Sequence, residues 1–184
     1  MSCNLSAGRN EVCKDSIGGI AGVYFVNFTG SLSNVTNGES DALVETLPAG
    51  LTAYYYELKG NSSYTENVNS SRDNGTTFFS QELVLNLKKL TNEMTTQLKL
   101  MAWGRPQIFV HTLNGDTLLV GQREGADLTA GTIQTGAAIG DLYGYSATFT
   151  GQEPFPAAFI SGSTFQNPFG AVTNPPTIVS GTNS

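Results

Sequence analysis

One histidine, two cysteines and fifteen acidic residues are the groups in this 184-residue chain that could perform acid–base, thiol or metal chemistry. His111 stands inside the apolar run 107–113, with no serine, cysteine or carboxylate beside it at a motif spacing. A strand histidine satisfied by its neighbours explains that placement better than a general base, which needs a partner within hydrogen-bond reach. Tetrahedral zinc needs short-spaced Cys/His pairs, and Cys3, Cys13 and His111 do not supply them. The run Gly18-Gly19-Ile20-Ala21-Gly22 precedes a strand pattern rather than opening a helix, so it is no dinucleotide fingerprint. Asp73-Asn74-Gly75 lacks the spaced carboxylates of a calcium loop and reads as a hairpin turn. Acids this dispersed carry no signature of a glycosidase pair. Trp103 reads as core rather than as a stacking platform. The chain is therefore expected to be no enzyme, with no catalytic residue, no metal site and no cofactor.

What the sequence patterns strongly is a sheet. From Asn74 to Leu90, Phe79, Leu83, Leu85 and Leu87 alternate with Ser80, Glu82, Asn86 and Lys88. A period of two gives one face to a core and the other to water. Then Met94, Leu98 and Met101 form one apolar helical stripe, with Thr91 as the cap, Glu93 in the first turn, and Gly104 and Pro106 as the stop. Further strands are predicted over 20–28, 51–58, 63–69, 107–113, 117–120, 126–130 and 143–149. The expected fold is mainly β (α+β), an antiparallel β-sandwich or barrel with one packed helix over about 91–103. Residues 1–16 read as an arm, 17–160 as the domain, and 161–184, rich in Gly, Ser, Asn and Pro, as a flexible tail.

Composition narrows the partners. Charged residues make up only 13% of the chain and the net charge is −6. No basic stripe exists to neutralise phosphates, so free-standing nucleic-acid binding is not expected. An acidic or neutral pore, by contrast, lets a polyanion slide without sticking. No apolar run approaches the ~18 residues of a membrane helix, so membrane insertion is not expected. Residues 1–9 lack the apolar centre of a signal peptide, so synthesis in a cytoplasm and two free thiols at Cys3 and Cys13 are expected. The Asn-x-Ser/Thr triplets, such as Asn27-Phe28-Thr29, are what this composition gives by chance.

Three features point to contact with another protein surface. Tyr54-Tyr55-Tyr56 puts aromatic groups on both faces of one strand, and Tyr54 and Tyr56 become candidate contacts. The run 131–140 is small, apolar and glycine-rich, a loop suited to lie on a neighbour through Ile133, Ala137 and Ile139. The long polar segment 29–50 exceeds ordinary connections and is either a functional loop or a hairpin turning at Asn37-Gly38. Its deletion over 31–46 is expected to leave a folded monomer. Strands 20–28 and 51–58 carry little charge or proline, the devices that blunt free edges, and are expected to be open margins.

Over about 63–160 the sequence resembles the tail tube (major tail) proteins of long-tailed phages. The segments that carry this are Tyr64-Thr65-Glu66-Asn67-Val68, Asn74-Gly75-Thr76, and Gln81-Glu82-Leu83-Val84-Leu85-Asn86-Leu87-Lys88-Lys89-Leu90. Gly104-Arg105-Pro106, Gly125-Ala126-Asp127-Leu128-Thr129-Ala130-Gly131 and Gly140-Asp141-Leu142-Tyr143-Gly144-Tyr145-Ser146-Ala147-Thr148-Phe149-Thr150-Gly151-Gln152-Glu153 complete it. These are packing and turn motifs. The resemblance implies a virion protein whose copies close into rings, commonly six-fold, that stack into a DNA-conducting tube. Its partners would be itself and other tail proteins (sheath, baseplate or terminator), with DNA in non-specific transit. The early hairpin would contact the next ring, which makes Val35, Asn37, Gly38 and Leu43 candidate contacts. Lys88, Lys89 and Lys99 would have to face away from the lumen or pair with acids. Another virion part (neck, decoration or terminator protein) and a carbohydrate-binding β-domain stacking sugars on Tyr54-Tyr55-Tyr56 stay open.

Overall fold

A computed structural model describes residues 7–10, 13–30, 32 and 42–181. In chain order the elements are β1 (Ile20–Val26), β2 (Leu43–Val44), β3 (Thr52–Glu57), β4 (Ser63–Ser71), β5 (Thr76–Lys88) and α1 (Asn92–Trp103). There follow β6 (Gln107–Thr112), β7 (Thr117–Val120), β8 (Asp127–Gln134), β9 (Gly144–Glu153), β10 (Ala158–Ile160) and β11 (Thr177–Ser180). The chain is a mainly β protein with one helix, built from two sheets.

The long alternating strand is β5, and it organises the four-stranded antiparallel sheet β4-β5-β9-β8. It pairs with β9 without a break from Phe79↔Glu153 to Lys88↔Gly144. Leu83, Leu85 and Phe149 point inward and meet Phe25, Ile108 and Val120 of the second sheet. The Phe25 and Phe149 rings lie 5.3 Å apart. The helix closes one side of this sandwich with Leu98 buried and Met94 and Met101 packed on the same core. Thr91 caps it as its sequence suggests, accepting the Met94 N–H at 3.1 Å.

The second sheet, β11-β3-β1-β6-β7-β10-β2, is mixed: β10 pairs β2 in parallel and β11 pairs β3 in parallel. Its middle strands are apolar on both faces, with Val23 and Phe25 facing the sandwich and Tyr24, Val26, Phe109 and Leu119 facing away. The outward residues are covered by Leu32, Val44, Leu47 and Leu51 from the early segment and by Phe169 and Val172. Phe169 stands edge-on to Tyr24 at 5.3 Å and to Phe109 at 5.1 Å.

Several expectations are corrected here. Residues 161–181 are not a free tail: they cover the sheet's second face, and their last strand, β11, adds to β3. Such a segment builds no core of its own, yet Phe169 and Val172 suffice against a sheet already apolar there. The expected open margins differ too, since β1 lies between β3 and β6, and β3 is flanked by β11. The margins are β11 and β2 in one sheet, β4 and β8 in the other. Trp103 is exposed, because it falls off the stripe formed by Met94, Leu98 and Met101. The glycine-rich run does not begin as a loop, for β8 continues to Gln134. The early segment is anchored on its flanks: Leu32 N donates to Gln122 O at 3.0 Å, and Thr46 bridges Thr173. Its presumed turn at Asn37-Gly38, and Val35, lie outside the described residues.

Removing residues 161–184 should therefore abolish cooperative folding, seen as loss of a single urea transition. Phe169→Ala should cost about 3–5 kcal/mol in the same measurement. A truncation as stable as the full chain would show that this cover is dispensable.

Candidate assembly surfaces

Strand parity sorts the four-stranded sheet into two chemically different faces. The inner one carries Tyr64, Leu83, Leu85, Tyr145, Ala147 and Phe149. On the outer one stand Thr65 and Asn67 of β4, Ser80, Glu82 and Asn86 of β5, Ser146, Thr148 and Thr150 of β9, and Thr132 of β8. Neither hydrophobic cluster reaches this outer face. It is mostly polar, with Glu82 as its acid, Lys88 at one end, and Phe78 and Val84 as its apolar side chains.

Buried polar groups fix the sheet against the rest. The Gln81 side chain accepts from Gly121 N at 2.9 Å and donates to Glu66 Oε1 at 3.0 Å. The same Glu66 oxygen accepts from Ala157 N at 3.0 Å. Glu153 takes the Arg123 and Glu124 N–H groups at 2.8 and 3.0 Å. The helix is tied on by the Tyr145 hydroxyl, which accepts from Thr91 N at 3.1 Å and donates to Thr91 O at 2.9 Å. The Thr95 hydroxyl lies 2.7 Å from it.

The candidate contacts fall into two groups at opposite ends of β8. Tyr54 and Tyr56 line a groove of about 760 Å³ with Leu100, Met101, Trp103 and Arg105, near the C-terminal end of α1 and the start of β8. Tyr54, Leu100 and Trp103 are exposed; Tyr56 is half-buried and edge-on to Phe25 at 5.1 Å. Lys99 Nζ sits 4.5 Å from the Trp103 ring and the Arg105 guanidinium 4.2 Å from that of Phe28. At the far end of β8 are Ile133, Ala137 and Ile139, all exposed. The Asp141 carboxylate ties their loop by accepting from Ala138 N at 2.7 Å and Ala137 N at 2.9 Å. Those two bonds hold its carboxyl below the usual range. Leu43 is in neither group: it is half-buried in β2, paired with Phe159. Leu100, Trp103 and the exposed pair Ile178 and Val179 on β11 were not anticipated. For Trp103 and Leu100, a helical projection already sets them off the Met94-Leu98-Met101 stripe.

His111 is buried, with Nδ1 2.9 Å from Thr117 Oγ1 and Nε2 3.3 Å from Phe165 O. Thr117 Oγ1 in turn lies 2.7 Å from Ser163 Oγ, which donates to Gly115 O at 2.7 Å. The ring thus pins the C-terminal cover to β6 and β7. Burial lowers its pKa, opposed in part by the Phe165 carbonyl and Asp116. Cys13 is exposed, and Cys3 lies outside the described residues. Among the described residues no three His, Cys, Asp or Glu side chains gather to hold a metal, and no helix is long and apolar enough to cross a membrane. No family model matches the chain, and no curated protein or solved structure does either.

Tyr145→Phe leaves the Thr91 amide without its buried acceptor and should cost on the order of 1–3 kcal/mol in denaturant unfolding. Since His111 titrates lower when folded, the unfolded chain binds more protons as pH falls below about 6.5, and stability falls with it. The gap in thermal midpoint between wild type and His111→Gln should therefore narrow between pH 7 and 5. A constant gap would contradict the neutral, pinning role.

Proposed function

We propose that this chain is a tail tube subunit of a long-tailed phage, a structural virion protein that assembles into stacked rings around a DNA channel. The observation that carries the reading is the four-stranded sheet: both margins open, an even number of antiparallel strands, and an uncovered neutral face. With four alternating strands, β8 runs antiparallel to β4 of its own sheet. A neighbour in the same orientation therefore offers its β4 to β8 in antiparallel sense, and the sheet continues unbroken from copy to copy. A head-to-tail contact of this kind closes into a ring. Neither β4 nor β8 contains proline or lysine, the residues that natural edges use against pairing.

In such a ring the Ser, Thr and Asn face lines the channel, and Glu82 keeps it from holding a polyanion. Lys99 lies on the helix, beside Trp103, away from that face. Lys88 does not meet the condition set for it: parity places it on the lining face, at its end, and it forms no ion pair among the described residues. Lys88 stands at one rim, which leaves the middle of the lining to Ser, Thr and Asn side chains. The partners are further copies, other tail proteins and DNA in passage. Location in the virion tail belongs to the same proposal.

Concentrated protein should form rings or rods by negative-stain microscopy. Discrete monomers that bind glycans through the Tyr54 and Trp103 groove would instead favour a carbohydrate-binding module. Ala130→Lys with Thr132→Lys on the β8 edge should abolish rings with unchanged circular dichroism. The early segment must be tested with care, because Val44 is fully buried and a deletion over 31–46 removes it. Replacing only 33–41 with an equally long Gly/Ser linker should keep the fold and stop polymerisation. Normal rods from that variant would remove the segment from the interface.

A further inference from the structure

The groove at the end of α1 and the loop after β8 are complementary, and one molecule cannot join them. The loop is a preset knob: the Asp141 carboxylate holds the Ala137 and Ala138 amides, Gly136 takes a positive φ of 72°, and Ile139 stands fully exposed at the tip. Little conformational entropy is left to lose when such a loop docks. The groove, about 760 Å³, is walled by exposed Leu100, Trp103 and Tyr54. That size falls within the ~300–1,000 Å³ of ordinary binding clefts.

Charge matches as well. Asp141 is the one charged residue between 128 and 152. Beside the groove stands Lys99, over the Trp103 ring, while Arg105 in the groove wall already reaches Glu124 at 3.8 Å. Asp127 lines the groove too, beside Arg105. Separation rules out closure within one copy. The knob follows Gln134 and lies at the helix N-terminal end, where Tyr143 O accepts from Lys89 N at 2.7 Å. The groove lies at the other end, at Trp103 and Asp127. Between them run the eight residues of β8, roughly 26 Å of strand.

We infer that the Gly136–Asp141 knob of one copy seats in the Trp103–Leu100–Tyr54 groove of a second copy and is a contact, beside that of the early segment, that stacks one ring on the next. Direction separates this contact from the edge pairing. Strand margins join copies across the strands, whereas knob and groove lie at opposite ends along them. One contact closes a ring and the other repeats along the perpendicular direction. The inference rests on the tube reading and adds to it the identity of the stacking surfaces.

Ile139→Asp and, separately, Leu100→Asp change only exposed positions, so both variants should fold. Each should still form single rings while the yield of rods falls by about tenfold or more. In a Cys3→Ser, Cys13→Ser background, I139C with W103C should give an oxidised ladder of covalent multimers from assembled protein. Wild-type rod yield from Ile139→Asp, or rods without the ladder, would overturn the stacking contact and leave the ring reading standing. Wild-type protein that stays monomeric at high concentration would overturn both. Loss of rings as well as rods in Ile139→Asp would contradict the division between the two contacts.

Discussion

A seven-stranded sheet that is apolar on both faces governs everything else in this molecule. β1 alternates Val23 and Phe25 toward one side with Tyr24 and Val26 toward the other, and β6 does the same with Ile108, Val110 and Phe109. Leaving either side wet would expose several large side chains, each worth about 1.5–3 kcal/mol on burial. Two covers are therefore obligatory. One is the four-stranded sheet with the helix; the other is assembled from the flanks of the early segment and residues 161–176. Because the four-stranded sheet serves as a cover, only one of its faces is used. The other is left to solvent or to a lumen.

Rigidity of that outer sheet comes from polar groups placed inside. Gln81, Glu153 and Tyr145 are buried, and each bonds to backbone from a different part of the chain. The Gln107 Nε2 donates to Gly30 O and Gln122 O, holding the start of the early segment against the turn after β7, while its buried Oε1 has no partner among the described residues. Buried polar groups satisfied in this way cost little, while losing one partner leaves the other stranded. They fix the angle between the sheets and hence where the margins β4 and β8 end up. A lining built from repeated copies needs that kind of constancy.

Legibility in the sequence followed the physics of period and cap. β5 announced itself through strict alternation, and α1 through the Met94-Leu98-Met101 stripe and Thr91. Strand order left no such trace: nothing local in 20–28 says that it lies between β3 and β6, and low charge marks a central strand as readily as an open margin. After Ile160, average polarity hides Phe169 and Val172, whose value depends on a sheet face that only the fold creates. At the candidate surfaces, Tyr54, Ile133 and Ile139 were legible as apolar groups in polar surroundings. The groove was not, because it joins residues from α1, β1, β3 and β8.

The central claim is that β4 and β8 are completed by neighbouring copies. Hydrogen exchange followed by mass spectrometry, on dilute and on concentrated protein, tests it at the backbone itself. Amides of 63–71 and 127–134 should exchange quickly when dilute and become protected together on concentration, with β1 and β6 unchanged throughout. Exchange in those two strands that is independent of concentration, or protection gained only elsewhere, would contradict it.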